Sequence, residues 1–469
     1  MPPLTATAVY ALGILALFWL DRDRNVRTSM ASWLPVIWIC ITGSRNVSAW
    51  LGIAPPDSVN QLLEGSPFDA FIFAVLIAAG SIFLIRRSRR TRALLETNWI
   101  ILLYFSFCLL SVIWSDFPGV AFKRWTKAIG DLVMVLIVAT DPKPAAALKC
   151  LLSRTGFILL PASVLLIKYF NDLGRGYDPW TGEQISKGVA DNKNMLGVIT
   201  FVLSLGAVWR ILMLLRVRGQ PNRARHLLAQ GALLAFGMVL LVMAASATSD
   251  ACFALGAGLM VATSLPFFGR RPGAVHALVL MIVLAGGLTM LLGGDAGVVH
   301  AMGRGTDFTG RTAIWKTVIP MAPNPIFGAG FESFWLGPRL DRLWSAFPAF
   351  HPNEAHNGYI EVYLNLGCAG LCLIALILIM GYWRAVAAFR RDPAIGALML
   401  AYVVTATIYS VTEAGFRMLH PMWVFLLLSI VGANGIVRVA GKARRRSGVA
   451  RDATSALPHD SLVTVGKNA

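Results

Sequence analysis

The sequence predicts an all-α, polytopic integral membrane protein with about 12 to 13 transmembrane helices and one long external loop, and three observations predict it. Hydrophobic residues make up 56% of the 469 and charged ones 14%, with mean hydropathy +0.65, more apolar surface than an ordinary water-facing shell accommodates. Apolar runs recur along the chain at the length a bilayer demands, roughly 20 residues for a core about 30 Å thick. The formal charge of +18 is concentrated in alternate loops.

The runs lie near residues 4 to 20, 32 to 52, 68 to 85, 98 to 114, 119 to 140, 151 to 169, 194 to 215, 228 to 246, 251 to 268, 275 to 293, 357 to 382, 395 to 412 and 418 to 437. The first lacks a basic n-region and a small-residue cleavage site, so it reads as a retained helix. Residues 1 to 440 form one transmembrane unit that includes an external loop at 294 to 356. Residues 441 to 469 read as a disordered, basic cytoplasmic tail.

Basic clusters punctuate every second loop: Arg22, Arg24 and Arg27; Arg86, Arg87, Arg89, Arg90 and Arg92; Lys143 and Lys149; Arg216, Arg218, Arg223 and Arg225; Arg270 and Arg271; Arg384, Arg390 and Arg391; and Lys442 to Arg446. This positive-inside pattern makes those loops cytoplasmic and places the amino terminus outside if all 13 runs span. Topology and anionic bilayer lipids account for the charge, and no nucleic-acid partner is implied. The six cysteines sit in or beside apolar runs without a CxxC, as small core residues and not as disulfides or a zinc ribbon.

The informative residues are the exceptions to that pattern. External polar groups gather in SDFPGVAFKRWTK (115 to 127), in the loop from Lys168 to Asn194 with Arg175, Asp178, Lys187, Asp191 and Lys193, in the long loop with Arg304, Arg311, Lys316, Arg339 and Arg342, and in TEAGFRMLH (412 to 420) with Glu413, Arg417 and His420. Cations on the translocated side oppose the topology signal, so they answer a local need such as an anion at the membrane surface. A lipid-linked phosphate or pyrophosphate fits. The plain alternative is that they snorkel to the interface or pair with Asp116, Asp178, Asp191 and Glu413.

Helices opening at Asn194 and Asn357 would enter from outside, turning the positive ends of their dipoles to the external face. Each asparagine is a suitable N-cap, preceded by a charged or titratable residue, Lys193 or His356. The cluster HPNEAHNGY (351 to 359) lacks the spacing of HExxH, and Pro352 breaks any regular helix through it, so a zinc centre is disfavoured. A purely structural helix cap remains open for His356.

Five stretches in order resemble the O-antigen ligase and polysaccharide polymerase superfamily, particularly its exopolysaccharide polymerase branch: WSDFPGVAFKRW (114 to 125), DNKNMLG (191 to 197), FTGRTAIW (308 to 315), PIFGAGFESFW (325 to 335) and EAHNGYIEVYLNLG (354 to 367). The resemblance covers roughly residues 100 to 380. It implies a GT-C type membrane glycosyltransferase of the bacterial inner membrane, working on the periplasmic face on a glycan carried by undecaprenyl pyrophosphate. As a polymerase it joins the glycan to another repeat, and as a ligase to a lipid A-core acceptor, with other polysaccharide-export components as further partners. Family motifs carry His356, Lys193, Arg311 and Arg124 over into functional positions. The chain departs from the family in having Asn192 before Lys193, and Asp250 where many relatives have a basic residue, so Arg175 or Arg417 must serve there.

An acceptor hydroxyl attacks the anomeric carbon and diphosphate departs, so positioned cations supply most of the rate. Arg124, Arg175, Lys193 and Arg311 are candidates for that clamp, with Arg417 behind them and Asn357 capping the helix beside it. His356 takes the hydroxyl proton, with Glu354 as understudy. Diphosphate leaves readily, so no metal and no cofactor are expected.

FTGRTAIWKTVIP reads as an amphipathic helix on the outer leaflet, Ile314, Trp315 and Val318 towards lipid and Arg311 towards headgroups. Trp335, Trp344, Phe347 and Phe350 either stack on sugars or form an interface belt. The rival from another class is a lipid-linked oligosaccharide flippase, which would spread charge through the depth of its helices and show repeated halves.

Overall fold

The computed structural model describes residues 1 to 23, 28 to 53, 65 to 178, 182 to 216, 222 to 271, 273 to 292, 308 to 348, 351 to 433 and 435. Each of the thirteen apolar runs overlaps a helix: α1 (Pro3–Leu20), α2 (Trp33–Thr42), α3 (Pro67–Arg86), α4 (Trp99–Leu110), α5 (Pro118–Ala139), α6 (Pro144–Tyr169), α7 (Lys193–Arg216), α8 (Arg223–Ala244), α9 (Ala247–Ser264), α10 (Ala274–Leu292), then α13 (Gly358–Arg391), α14 (Pro393–Thr412) and α15 (Pro421–Ala433). Two further helices, α11 (Phe308–Val318) and α12 (Gly337–Ala346), fall in the long loop. Among the described residues seven helices are long and apolar enough to cross a membrane, or eight if α4 counts with Ser88–Thr97, from which it bends by 86°. The protein is therefore all-α and polytopic. The tail at 441 to 469 and the first part of the long loop lie outside the described residues.

Proline opens α1, α3, α5, α6, α12 and α14 within their first two positions, where a missing N–H costs nothing. A two-stranded hairpin, β1 (Arg175–Tyr177) and β2 (Gln184–Ser186), pairs antiparallel in the connection before α7. The mostly buried α7 and α14 form the centre of the bundle, and α14 packs against α13, α9 and α7.

Connectivity separates two ends. The chain rises through α5 from Arg124 to the turn at Asp141, where Arg87 reaches it at 3.9 Å; it returns through α14 from Arg391 to Glu413. The loops rich in basic residues thus share one end, and the exceptional residues share the other.

The long loop is a folded cap with its own core. Ile314 and Val318 of α11, fully buried, pack with Phe334, Trp335, Leu340, Leu343, Ala355 and Leu364. This corrects the interfacial reading of α11, whose apolar face meets protein and not lipid. Its docking rests on a break in α13 at Gly367, where φ is +64°. The backbone N–H groups of Cys368 and Ala369 donate to the carbonyls of Pro325 and Ile326 at 2.9 and 3.0 Å, and Ala329 N–H donates to Leu364 O at 3.0 Å. Loop backbone thereby satisfies groups the kink releases, the condition for irregular structure at membrane depth. A Cβ on Gly367 would lie 2.2 Å from Ile326 backbone and one on Gly328 2.4 Å from Asn365, so both positions require glycine.

Candidate functional site

The cap brings together the five sequence stretches singled out above. Ser115 and Ser333 share a hydrogen bond of 2.8 Å, Trp114 Nε1 donates to Phe327 O at 3.3 Å, and Arg339 pairs with Asp116 at 2.7 Å, joining the turn before α5 to the loop 325 to 336. Trp315 of α11 donates to the Ala355 carbonyl at 2.7 Å. At the start of α7, Asn194 Nδ2 donates to Glu413 at 3.0 Å.

Asn357 caps α13 as the sequence predicts, its Oδ1 accepting from the N–H of Tyr359 and Ile360 at 3.0 and 3.1 Å. Its Nδ2 donates to Val411 O at 2.8 Å, and Gly358 N–H to Glu413 O at 3.0 Å, stitching the head of α13 to the tail of α14. The other cap differs from expectation. Asn192, not Asn194, accepts the Met195 N–H at 2.8 Å, so α7 begins at Lys193, ahead of the expected cap, and Asn194 meets Glu413 instead.

A chain of alternating charges runs through these loops. Arg124 donates to the Glu332 carbonyl. The Glu332 carboxylate pairs with Arg417 at 3.4 Å, Arg417 with Glu354 at 3.2 Å, and Glu354 with His356 Nδ1 at 3.0 Å. The same Nδ1 lies 3.3 Å from Glu413, which pairs with Arg311 at 2.9 Å. Arg311 also donates to Thr412 O at 2.5 Å. Glu413 and Glu332 are buried, whereas the side chains of Arg311, Arg417 and His356 keep 21, 30 and 20% exposure, so the network is open on one side.

The backbone adopts left-handed φ at two members of the network and at a residue beside His420: Glu332, His356 and Leu419 have φ of +51°, +47° and +60°. A side chain in that region costs on the order of 1 kcal/mol, and such residues cluster where surrounding contacts over-determine a conformation. Burial opposes protonation of His356, yet the carboxylates of Glu354 and Glu413 outweigh it and raise its pKa above 6.5. Burial pushes Glu354 up, but His356, Arg417 and His420 more than reverse this and hold it below the usual range. Burial lowers His420 to about 4 against the pull of Glu354, with Arg417 reinforcing it; its Nδ1 accepts the Met422 N–H at 3.2 Å.

Ligand atoms of Glu354, His356 and Glu413 lie within 4.8 Å of one another, a spacing that could hold a metal ion. The charges argue against it, because Arg417 and Arg311 already neutralise the two carboxylates and would repel a divalent cation.

Of the residues the sequence nominated, His356, Glu354, Arg311, Arg417, Arg124 and Asn357 converge here. Lys193 adjoins the site through Asn194, but its ammonium turns to Asp178 at 2.7 Å. Arg175 makes its contacts locally, donating to Ile167 O at 3.0 Å and Gln184 at 3.1 Å. Of the two cations proposed to stand in at the Asp250 position, Arg417 lies in this network and Arg175 does not. Trp335 is buried and Trp344 donates to Pro352 O at 3.1 Å, so both brace the loop; Phe350 lies outside the described residues. Sequence reasoning passed over Glu332 entirely and gave Glu413 only as an anchor's partner. Each stands inside a motif it quoted.

Two comparisons bear on this arrangement. Residues 231 to 375 match the family described as O-Antigen ligase, a span that holds Arg311, Glu332, Glu354, His356 and Asn357. The chain is also 25% identical over 306 residues to the exopolysaccharide production protein ExoQ of Rhizobium meliloti (strain 1021), an alignment covering 61% of this chain and 66% of that one, just under two thirds of the relative's length. Both comparisons support an O-antigen ligase- and polymerase-like family. The network straddles the matched span: Arg124, Asn194, Glu413 and Arg417 reach it from outside, so the centre is assembled from both halves of the chain.

Proposed function

We propose that this protein is a metal-independent, inverting glycosyltransferase of the inner membrane, polymerising glycan repeats from undecaprenyl pyrophosphate on the periplasmic face. The carrying observation is that both carboxylate contacts of His356 fall on Nδ1, which leaves Nε2 to face an attacking hydroxyl. That nitrogen takes the acceptor's proton as the new glycosidic bond forms and the bond from the anomeric carbon to the diphosphate oxygen breaks. One displacement inverts the anomeric centre. Glu354 and Glu413 stabilise the imidazolium, and a conjugate acid titrating near working pH makes an effective base.

Charge growing on the departing diphosphate meets Arg311, Arg417 and Arg124. A guanidinium has five donors, so one edge can serve its carboxylate while another takes phosphate oxygen. The partial exposure of Arg311 and Arg417 supports this reading. The relative from Rhizobium meliloti is named for exopolysaccharide production, which is compatible with polymerisation; the O-Antigen ligase match over residues 231 to 375 keeps transfer to a separate acceptor as the second reading. Charge gathered at one end of the bundle disfavours a flippase.

The test is transfer in detergent by the purified full chain, using labelled lipid-linked repeats extracted from the host. Lengthening of the labelled glycan supports polymerase, and product seen only with added lipid A-core supports ligase. Turnover by His356→Ala as fast as wild type removes the base from the mechanism.

A further inference from the structure

We propose that Glu361 is a positioning residue for the site, acting on His356 and Glu354 through the alanine between them; this rests on the proposed role of His356. Glu361 lies one turn inside α13 and is 3% exposed. Its Oε1 accepts the Ala355 N–H at 2.5 Å and its Oε2 accepts Trp335 Nε1–H at 2.8 Å. Ala355 is fully buried and its carbonyl accepts Trp315 Nε1–H at 2.7 Å. The residue between the base and its carboxylate partner is thus held from both sides.

A second register fixes the neighbouring strand of the network. Asn365, four residues on, donates to the Glu361 carbonyl at 2.9 Å, while its Oδ1 accepts from Ser333 and Phe334 N–H at 2.9 and 3.0 Å. One face of α13 therefore sets both the loop bearing Glu332 and the loop bearing Glu354 and His356. Burying a carboxylate is costly unless its oxygens are bonded. Here two donors face two acceptor oxygens, and both would be orphaned by an apolar residue.

Glutamine has one acceptor oxygen for the two donors, so Glu361→Gln sets an amide N–H against either Ala355 or Trp335. Displacing a catalytic group by even 1 Å can cost about a hundredfold. Glu361→Gln is expected to lower kcat by about 10- to 100-fold, to change KM for extracted lipid-linked repeats by less than about threefold, and to move the acid midpoint of the rate profile back towards 6.5 as His356 leaves its carboxylates. Adding Trp335→Phe removes the competing donor, and the double variant should regain at least about fivefold over Glu361→Gln alone. Should Glu361→Gln fail to accumulate, Trp315→Phe loosens the same alanine from its other side and must shift the same midpoint.

Wild-type kcat and midpoint in Glu361→Gln, or in Trp315→Phe if that substitutes for it, overturn the assignment. So does a double variant no better than the single, since charge and not geometry would then be at issue. Lower yield with an unmoved midpoint assigns Glu361 to stability alone and also overturns it. Failure of the base reading is separate: His356→Ala would then retain turnover whatever Glu361 does.

Discussion

The two ends of the bundle each hold a histidine beside a carboxylate, and they differ in everything around it. At the basic end His226 Nδ1 lies 3.0 Å from Asp21, which also meets Arg210 at 3.4 Å. All three side chains are at most 13% exposed, one carboxylate meets both the imidazole and the guanidinium, and the set ties α1 to α7 and α8. Nearby cations are equally local: Arg225 donates to Trp19 O at 2.6 Å with its guanidinium 4.2 Å from the Trp19 ring, and Arg384 donates to Asn98 and the Thr97 carbonyl. These are anchors of the kind the positive-inside pattern requires. At the opposite end the charges alternate across five chain segments, rest on strained backbone and keep an open side. A histidine–carboxylate pair is common chemistry; what marks a site is unfinished coordination held rigidly.

The sharpest way to break that distinction is to remove both histidines in turn. His356→Ala is expected to lower transfer by at least about a hundredfold, the range for losing a general base, with insertion unchanged. His226→Ala should leave turnover per folded molecule within about twofold while lowering thermal stability, since a buried partner is lost without touching the reaction. Host cells carrying each variant provide the measurement: accumulation of single lipid-linked repeats with His356→Ala only. Next in size is Arg311→Lys, expected to cost about tenfold or more in kcat, because an ammonium cannot serve Glu413, Thr412 O and a phosphate in one plane. The matched control at the other end is Arg210→Lys, which should affect stability alone.

That contrast also explains what the sequence could disclose. All thirteen apolar runs were legible because bilayer thickness fixes helix length and composition together. Asn357 was legible as a cap because capping is local. What escaped was pairing: nothing local distinguishes Glu332 in GFESFW or Glu413 in TEAGF as partners of Arg417, His356 and Arg311, since those contacts join residues up to 102 positions apart. Lys193 shows the same limit, its ammonium meeting Asp178 while its neighbour Asn194 faces Glu413. The amphipathic pattern of α11 was real, but a second apolar core covers its face as well as lipid would.

The ends should also respond differently to pH. His356 titrates above its ordinary 6.5, so transfer should rise with pH through a midpoint above about 6.5 and then level. Because that pKa is raised by folding, the pairing stabilises fully below about 6.5 and the contribution fades as pH climbs through the folded value. Glu354 is lowered and runs the other way, stabilising above about 4.5 and losing its contribution as pH falls through the folded value. Asp21 at the basic end is also lowered, burial being outweighed by His226 and Arg210. Acid should therefore weaken both ends, whereas a rise through the His356 midpoint should alter turnover and loosen the site end. Hydrogen exchange of the loops 351 to 357 and 413 to 420, measured against the α1–α8 junction at the two pH limits, resolves the ends separately.

The smallest effect expected is that of metal removal, and it discriminates most finely between the readings of Glu354, His356 and Glu413. Their ligand atoms are near enough to hold an ion, yet Arg311 and Arg417 occupy the outer edges of the same carboxylates at 2.9 and 3.2 Å. A divalent cation would have to displace one guanidinium or sit beside both, against repulsion that burial strengthens. Chelation with excess EDTA should thus leave transfer within about twofold of the untreated enzyme, and added magnesium or manganese should not raise it, as expected where fixed cations already stabilise the departing charge. A rate that falls tenfold on chelation and returns with one metal would mean that Arg311 and Arg417 swing away when substrate binds, leaving the three ligands free to take the ion.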